Sequence, residues 1–315
     1  MSTRIRWIEV SMLASGAALR VPVHEIDGAA DGPTLGVSAL VHGDEITGPQ
    51  IVRAVRDAVD PRRLRGRLRL VPVANPLAFQ ALSRGTPLAV EIGNLNRVFP
   101  ADPTLDLPAR LAHALQTQFL DEVTHLVDLH AGGTFPIVDY TISLYDLDAA
   151  LAFGQGVVRQ VSGYAGTLGA LAAAGGKTAI VAELGGGYVR DDHYVALGVR
   201  GVLNVMRHLG MLDGAIERPP RQVVVTRMAT LRPAHGGLLE SALDVAAMHR
   251  EIAGGTLLGR VRSPYTFEVL EELRAPFARN VVVLLRQGVT AVNPGDYAYM
   301  LGDLDDARIV THGNG

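Results

Sequence analysis

An α/β fold, with a mostly parallel mixed sheet flanked by helices and a small all-β domain at the C-terminus, is what this sequence predicts. Two observations carry the expectation for the first part. The first two-thirds of the chain alternates strand-like and helix-like patterns, and four of its apolar runs read as strands buried within a sheet. A third observation carries the rest: from Val223 onward the runs are short, β-rich and separated by Gly or Pro. Asp213-Gly214 and Pro219-Pro220 punctuate the change, so the expected division is a first domain over 1–215 and a β-rich, barrel-like domain over 216–315.

The elements follow in order. Leu35 to Val41 reads as a strand running into His42-Gly43-Asp44-Glu45. Gly48 to Val59 reads as a helix, with Pro49 where the first turn tolerates it. Leu68 to Ala74 is a strand running into Asn75-Pro76. Leu107 to Val123 is amphipathic, with Asp106 as its cap. Val123 to Leu129 runs into His130, and Thr178 to Ala182 into Glu183-Leu184-Gly185. Gly198 to Leu212 repeats the helical spacing through Val199, Val202, Leu203, Val205, Met206 and Leu209. The C-terminal strands are Val223 to Val225, Gly255 to Val261, Val281 to Leu285 and Tyr297 to Leu301.

Composition excludes several chemistries. The 315 residues are 48% hydrophobic with a net charge of -3, so neither nucleic acid nor an anionic membrane is an expected partner. No apolar run is long enough to span a bilayer, and Met1 to Val10 has no apolar signal core, so a cytoplasmic location is expected. Cysteine is absent, which removes disulfides, thiolate nucleophiles and thiolate metal ligands. Any metal must be held by His and carboxylates. The single lysine, Lys177, reads as a solvated turn residue, leaving little scope for Schiff-base chemistry.

In an open α/β sheet, ligands bind outside the carboxyl ends of the strands. Two His and two Glu arriving there suggest a metal site with a spare carboxylate. His42 and Glu45 lie three apart in a strand-to-helix turn, and His130 is the best candidate for a third ligand. Two His and one carboxylate leave a position open for water, the arrangement of a catalytic zinc site. Glu183 would take a proton from that water and return it to a leaving amine. The glycines Gly185, Gly186 and Gly187 follow it and give a flexible turn beside the site. Asn94, Asn96 and Arg97 form a loop cluster suited to fixing a carboxylate, because a guanidinium bonds both its oxygens. Arg84, upstream in the same loop, could stabilise a developing oxyanion. Strand alternation puts Asp128 on the face of His130, where it could orient that ring, with Asp44 a rival for the role. His193, after Asp191-Asp192, reads first as a surface-loop residue, with a substrate contact as the alternative.

These motifs together resemble the succinylglutamate desuccinylase/aspartoacylase family, relatives of the zinc carboxypeptidases. The resemblance rests on His42-Gly43-Asp44-Glu45, Ala74-Asn75-Pro76, Asn94-Leu95-Asn96-Arg97-Val98-Phe99-Pro100, Asp128-Leu129-His130 and Glu183-Leu184-Gly185-Gly186, in that order. It implies a zinc carboxypeptidase-like sheet and one zinc ion held by His42, Glu45 and His130. It further implies Glu183 as general acid/base, Arg84 at the oxyanion, and Asn96 with Arg97 on the substrate carboxylate. Many members carry Asp where Asn94 stands, and Ala101 replaces a usual Gly. The Gly-Asn-Leu-Asn-Arg form is similar to the branch of N-acetyl-diaminobutyrate deacetylases.

The expected activity is therefore zinc-dependent deacylation of a small N-acyl amino acid, with a metallocarboxypeptidase acting on peptides as the alternative. A carrier role for the C-terminal domain is rejected, since 221–315 contains no lysine to modify. The all-β domain could supply a homo-oligomer interface.

Overall fold

The computed structural model describes residues 2–87, 92–161, 164–186 and 192–312. The chain runs β1 (Ser2–Met12), β2 (Ala18–Asp27), β3 (Ala30–Ala39), α1 (Thr47–Ala58), β4 (Arg65–Val71), α2 (Pro76–Gln80), β5 (Thr86–Pro87), β6 (Ile92–Gly93), α3 (Leu107–Gln118) and β7 (His125–His130). It continues through β8 (Pro136–Ser143), α4 (Leu147–Phe153), β9 (Val157–Gln160), α5 (Leu168–Ala174), β10 (Thr178–Gly186) and α6 (Asp192–His208). The remainder is β: β11 (Arg221–Val225), β12 (Met228–Leu231), β13 (Gly237–Ser241), β14 (Glu251–Ala253), β15 (Leu257–Arg262), β16 (Val269–Arg274), β17 (Arg279–Arg286), β18 (Val289–Val292), β19 (Tyr299–Asp303) and β20 (Arg308–Thr311).

Among the described residues a 14-stranded mixed sheet forms the body: ten strands run in the order β1-β2-β4-β3-β7-β10-β8-β17-β19-β12, and β9, β11, β14 and β20 pair off this path. Its centre is parallel, through β4/β3, β3/β7 and β7/β10, and antiparallel pairs extend it on both sides. A separate antiparallel sheet, β16-β15-β13-β18, stands at the C-terminal end. Several C-terminal strands are continuous with the main sheet, since β17 pairs with β8 and β19 with β17.

Both faces of the centre are buried because side chains alternate along each strand. Leu126 packs with α3 and α5 through Leu111, Leu115 and Leu168. Val127 and Ile180 face the opposite layer, with Ile51 and Val55 of α1 and Val202 and Val205 of α6. Each such side chain contributes about 1.5–3 kcal/mol by leaving water. Among the described residues, no helix is long and apolar enough to cross a membrane.

The expected elements are present with shifted ends. Strand β3 stops at Ala39 and not at Val41, because Leu40 takes a φ of 54° and turns the chain out of the ladder. Strand β4 ends at Val71, whereas β10 runs past Ala182 to Gly186, extended by pairing with β8. Asp106 caps α3 by accepting from the Ala109 N–H at 2.9 Å, but the helix stops at Gln118. Helix α6 begins at Asp192, six residues ahead of the apolar pattern, and ends at His208. Lys177 is not simply solvated: it is half-buried and donates to the Val123 carbonyl at 2.6 Å.

Candidate metal centre

The turn after β3 is braced from outside. Buried Asn75 donates to the Val41 carbonyl at 3.3 Å and to Thr86 Oγ1 at 2.9 Å, while its own oxygen caps α2 by accepting from Ala78 N–H at 3.2 Å. Asn75 thus fixes the backbone that presents His42 and does not itself line the cavity. Gly43 packs so tightly on α2 that a Cβ would overlap the Ala78 carbonyl.

His42, Glu45 and His130 then meet. His42 Nδ1 lies 2.8 Å from Glu45 Oε1, and His130 Nδ1 lies 2.8 Å from Glu45 Oε2. All three side chains are buried, and their donor atoms lie within 4.8 Å of one another, so the group could hold a metal ion. The chemistry of the set fits: two imidazole nitrogens and a carboxylate oxygen converge, with no sulfur.

Both rings are oriented from behind. Asp128 Oδ2 is 3.1 Å from His130 Nε2, and its other oxygen accepts from Ser38 Oγ at 2.6 Å. Asn94 Oδ1 is 3.2 Å from His42 Nε2. Against the lowering effect of burial, Asp128 and Glu45 hold the His130 imidazolium well above the ordinary histidine range. Asp44 does not share this arrangement. It sits against Gly133, accepts from Thr134 Oγ1 at 3.3 Å, and leaves Oδ1 without a partner among the described residues.

Glu183 stands level with His130 on the neighbouring strand. Burial pushes its carboxyl up to about 7; His130 opposes the shift and Glu45 adds to it. Half-exposed Arg84 donates from Nη1 to Glu45 Oε1 at 3.0 Å. Asn96 is fixed by the Leu168 N–H, which donates to its oxygen at 3.0 Å, and its amide nitrogen lies 3.5 Å from His130 Nε2. Arg97 Nη1 donates to the Asn96 carbonyl at 2.6 Å.

A cavity of about 280 Å³ joins His42, Glu45, His130, Glu183, Arg84, Asn96 and Arg97. Asn94 touches His42 from outside that lining. His193 does not enter it; it lines a second cavity with Asp139 and His249. Gly187 and Asp191 lie outside the described residues. Sequence reasoning missed Tyr140, Arg159, Tyr164 and Tyr297, which also line the cavity. The one local signal was a cation, Arg159, directly after the apolar pair Val157-Val158.

The profile of the succinylglutamate desuccinylase/aspartoacylase catalytic domain matches residues 31–209. The chain is 26% identical to the N-alpha-acetyl-L-2,4-diaminobutyric acid deacetylase of Halomonas elongata, across 91% of this chain and 86% of that one. Among solved structures, a succinylglutamate desuccinylase from Silicibacter sp. TM1040 superposes with a TM-score of 0.83 at 26% identity, covering 96% of each chain. The product-bound ectoine utilization protein EutE (DoeB) of Ruegeria pomeroyi gives the same TM-score and identity over 95% of each chain.

Proposed function

The chain belongs to the succinylglutamate desuccinylase/aspartoacylase family, and from that premise we propose that it is a zinc-dependent deacylase that hydrolyses the amide of a small N-acyl amino acid. The observation that carries the reading is the convergence of His42, Glu45 and His130 beside a carboxyl, Glu183, whose burial keeps it ready to exchange a proton near neutrality. The name of the Halomonas relative, a deacetylase of an amino acid derivative, supports the reaction class.

In this reading His42 and His130 offer Nδ1 and Glu45 a carboxylate oxygen to the ion. Zinc, when bound, supplies Lewis acidity and brings the pKa of water at the site toward about 7. Glu183 accepts the proton of the attacking water and delivers it to the departing amine. Arg84, beside Glu45 at the cavity, turns its guanidinium to the oxygen that gains charge in the transition state. Asn96 and Arg97 hold the substrate carboxylate, with Asn94 anchoring the Asn96 N–H at 2.9 Å. Residues 216–315 act as a domain that closes the cavity, an assignment supported by the lining residues Thr230, Leu284 and Met300. The small cavity supports a small substrate over a peptide.

The test is amine release from a panel of N-acyl amino acids and short peptides by zinc-loaded protein, beside a Glu183→Gln control and a chelator-treated sample. Release from an acyl amino acid, lost in both controls, is expected. Cleavage of peptides alone would replace this reading with a carboxypeptidase.

A further inference from the structure

The floor of the cavity is written in strand register. On the face that holds Leu126, Asp128 and His130, the pairing sets His130, Glu183 and Tyr140 side by side across β7, β10 and β8. Two residues back, the next row on that face is Val181, Ile142 and Arg159, across β10, β8 and β9. Arg159 thus lies two strands and two residues from Glu183. That is a backbone separation of about 12 Å for strands about 4.8 Å apart rising about 3.3 Å per residue. Apolar side chains fill the intervening floor: Val138, Ile142, Val181 and Leu284 all line it.

Arg159 is exceptional among the cations of the site. Arg84 donates to Glu45, and Arg97 to a backbone carbonyl. The buried Nε of Arg159 has no hydrogen-bond partner. Among the described residues no carboxylate pairs with Arg159; its neighbours are the buried Tyr140 hydroxyl, which its guanidinium hydrogen-bonds, and the ring of Tyr164, 5.1 Å from the guanidinium carbon. A buried donor without an acceptor is uncommon and unfavourable, and this one belongs to a side chain that lines the cavity.

We propose that Arg159 is the specificity-determining residue of this cavity: it receives a carboxylate at the end of the substrate remote from the scissile amide and turns away an ammonium there. The proposal rests on the deacylase reading above. A guanidinium presents Nε–H and Nη–H as a fork that matches both oxygens of a carboxylate. An ammonium in the same place would face a like charge across a weakly screened, partly apolar space. The relative from Halomonas elongata is named for an amino acid with an amine side chain; Arg159 favours the opposite charge here.

The carboxylate could sit on the amino-acid half or on the acyl half, and the experiment separates the two. Zinc-loaded wild-type, Arg159→Met and Arg159→Lys proteins are assayed on N-acetyl-L-glutamate, N-succinyl-L-alanine, N-acetyl-L-norvaline and N-acetyl-L-2,4-diaminobutyrate. Wild type is expected to favour one of the two carboxylate-bearing amides over N-acetyl-L-norvaline, and which one assigns the half. In Arg159→Met that ratio of kcat/KM should fall by roughly 10–100-fold, mostly through KM. Arg159→Lys, which keeps the charge and loses the fork, should fall between. Preference for the diaminobutyrate or norvaline amide, or an unaltered ratio in Arg159→Met, overturns the proposal while leaving a deacylase. If thermal melting shows that Arg159→Met is unfolded, Arg159→Lys carries the comparison, and a wild-type ratio in it overturns the proposal. If wild type hydrolyses none of the four, the deacylase reading fails and calorimetric titration with N-acetyl-L-glutamate and N-succinyl-L-alanine decides. Binding of either that weakens at least about tenfold in the folded variant supports Arg159; equal binding, or none to wild type, overturns it.

Discussion

The side-chain oxygen of Asn94 faces Nε2 of His42 at 3.2 Å. The same oxygen accepts from the Asn96 N–H at 2.9 Å, and a backbone N–H can only donate, so the atom must be oxygen. Nε2 therefore carries a proton toward Asn94, which leaves Nδ1, 2.8 Å from Glu45 Oε1, to offer its lone pair to a cation held between them. Asn94→Ala should lower zinc affinity by roughly 10–100-fold, read by competition with a chromophoric chelator. Asn94→Asp, which gives Nε2–H an anionic acceptor, should tighten binding. Equal affinity in Asn94→Ala would show that Asn94 does not orient the ring.

On the proposed mechanism, Glu183 should set the acid side of the pH profile. Burial raises its carboxyl to about 7, and the base form exists above that pKa. A cation held by His42, Glu45 and His130 replaces the pull of the protonated His130 ring with its own larger charge, so kcat/KM should fall as pH drops through a value at or below about 7. Glu183→Gln should reduce kcat by about 10²–10⁴-fold with zinc content intact, and should flatten that limb. A limb that persists in Glu183→Gln would assign it to another group.

Gly43 couples helix packing to the candidate metal centre. Any Cβ there meets the Ala78 carbonyl of α2, so Gly43→Ala must push the turn that carries His42 and Glu45. Overpacking of this kind costs about 1–3 kcal/mol. Zinc stoichiometry by atomic absorption should drop sharply, and denaturant unfolding should show the lost stability. Full zinc content in Gly43→Ala would mean that the turn relaxes without moving its ligands.

Glu25 ties the N-terminal hairpin together. Its buried carboxylate accepts from Arg6 Nε at 2.7 Å, pairs with Arg4, and lies 3.7 Å from Arg69 Nε. Burial alone would raise its pKa, but Arg6, Arg4 and Arg69 together lower it below the ordinary 4.5. The unfolded chain therefore takes up the proton first. The stabilisation is present above about 4.5 and is lost as pH falls through the lower folded value. Glu25→Gln should cost about 2–3 kcal/mol at pH 7, because it leaves the mostly buried Arg69 with less counter-charge. It should also weaken the acid dependence of urea unfolding. An unchanged acid limb would place that dependence elsewhere.

Much of the centre was legible because its signals are local. Strand alternation by itself puts Asp128 beside His130, and they stand 3.1 Å apart. The apolar run into His130 does end its strand, whereas β3 stops at Ala39 short of His42 and β10 continues past Glu183 to Gly186; all three still arrive at the same edge because the carboxyl ends of adjacent parallel strands converge. The hairpin β1/β2 was there to be read in Arg4-Ile5-Arg6-Trp7, whose alternation is that of a strand.

What only the tertiary structure decided depends on register between distant segments. Sequence spacing could not choose between Asp44 and Asp128, because the choice turns on Asp44 packing against Gly133 while Ser38 holds Asp128. Nor could it show that β17 joins β8, which brings Leu284 into the cavity wall. Arg159 reaches the same cavity through the pairing of β9 with β8, and its unpartnered Nε exists only in that setting. A strand's own residues fix which face each side chain takes; which neighbour it meets is fixed by pairing, and pairing is a property of the whole sheet.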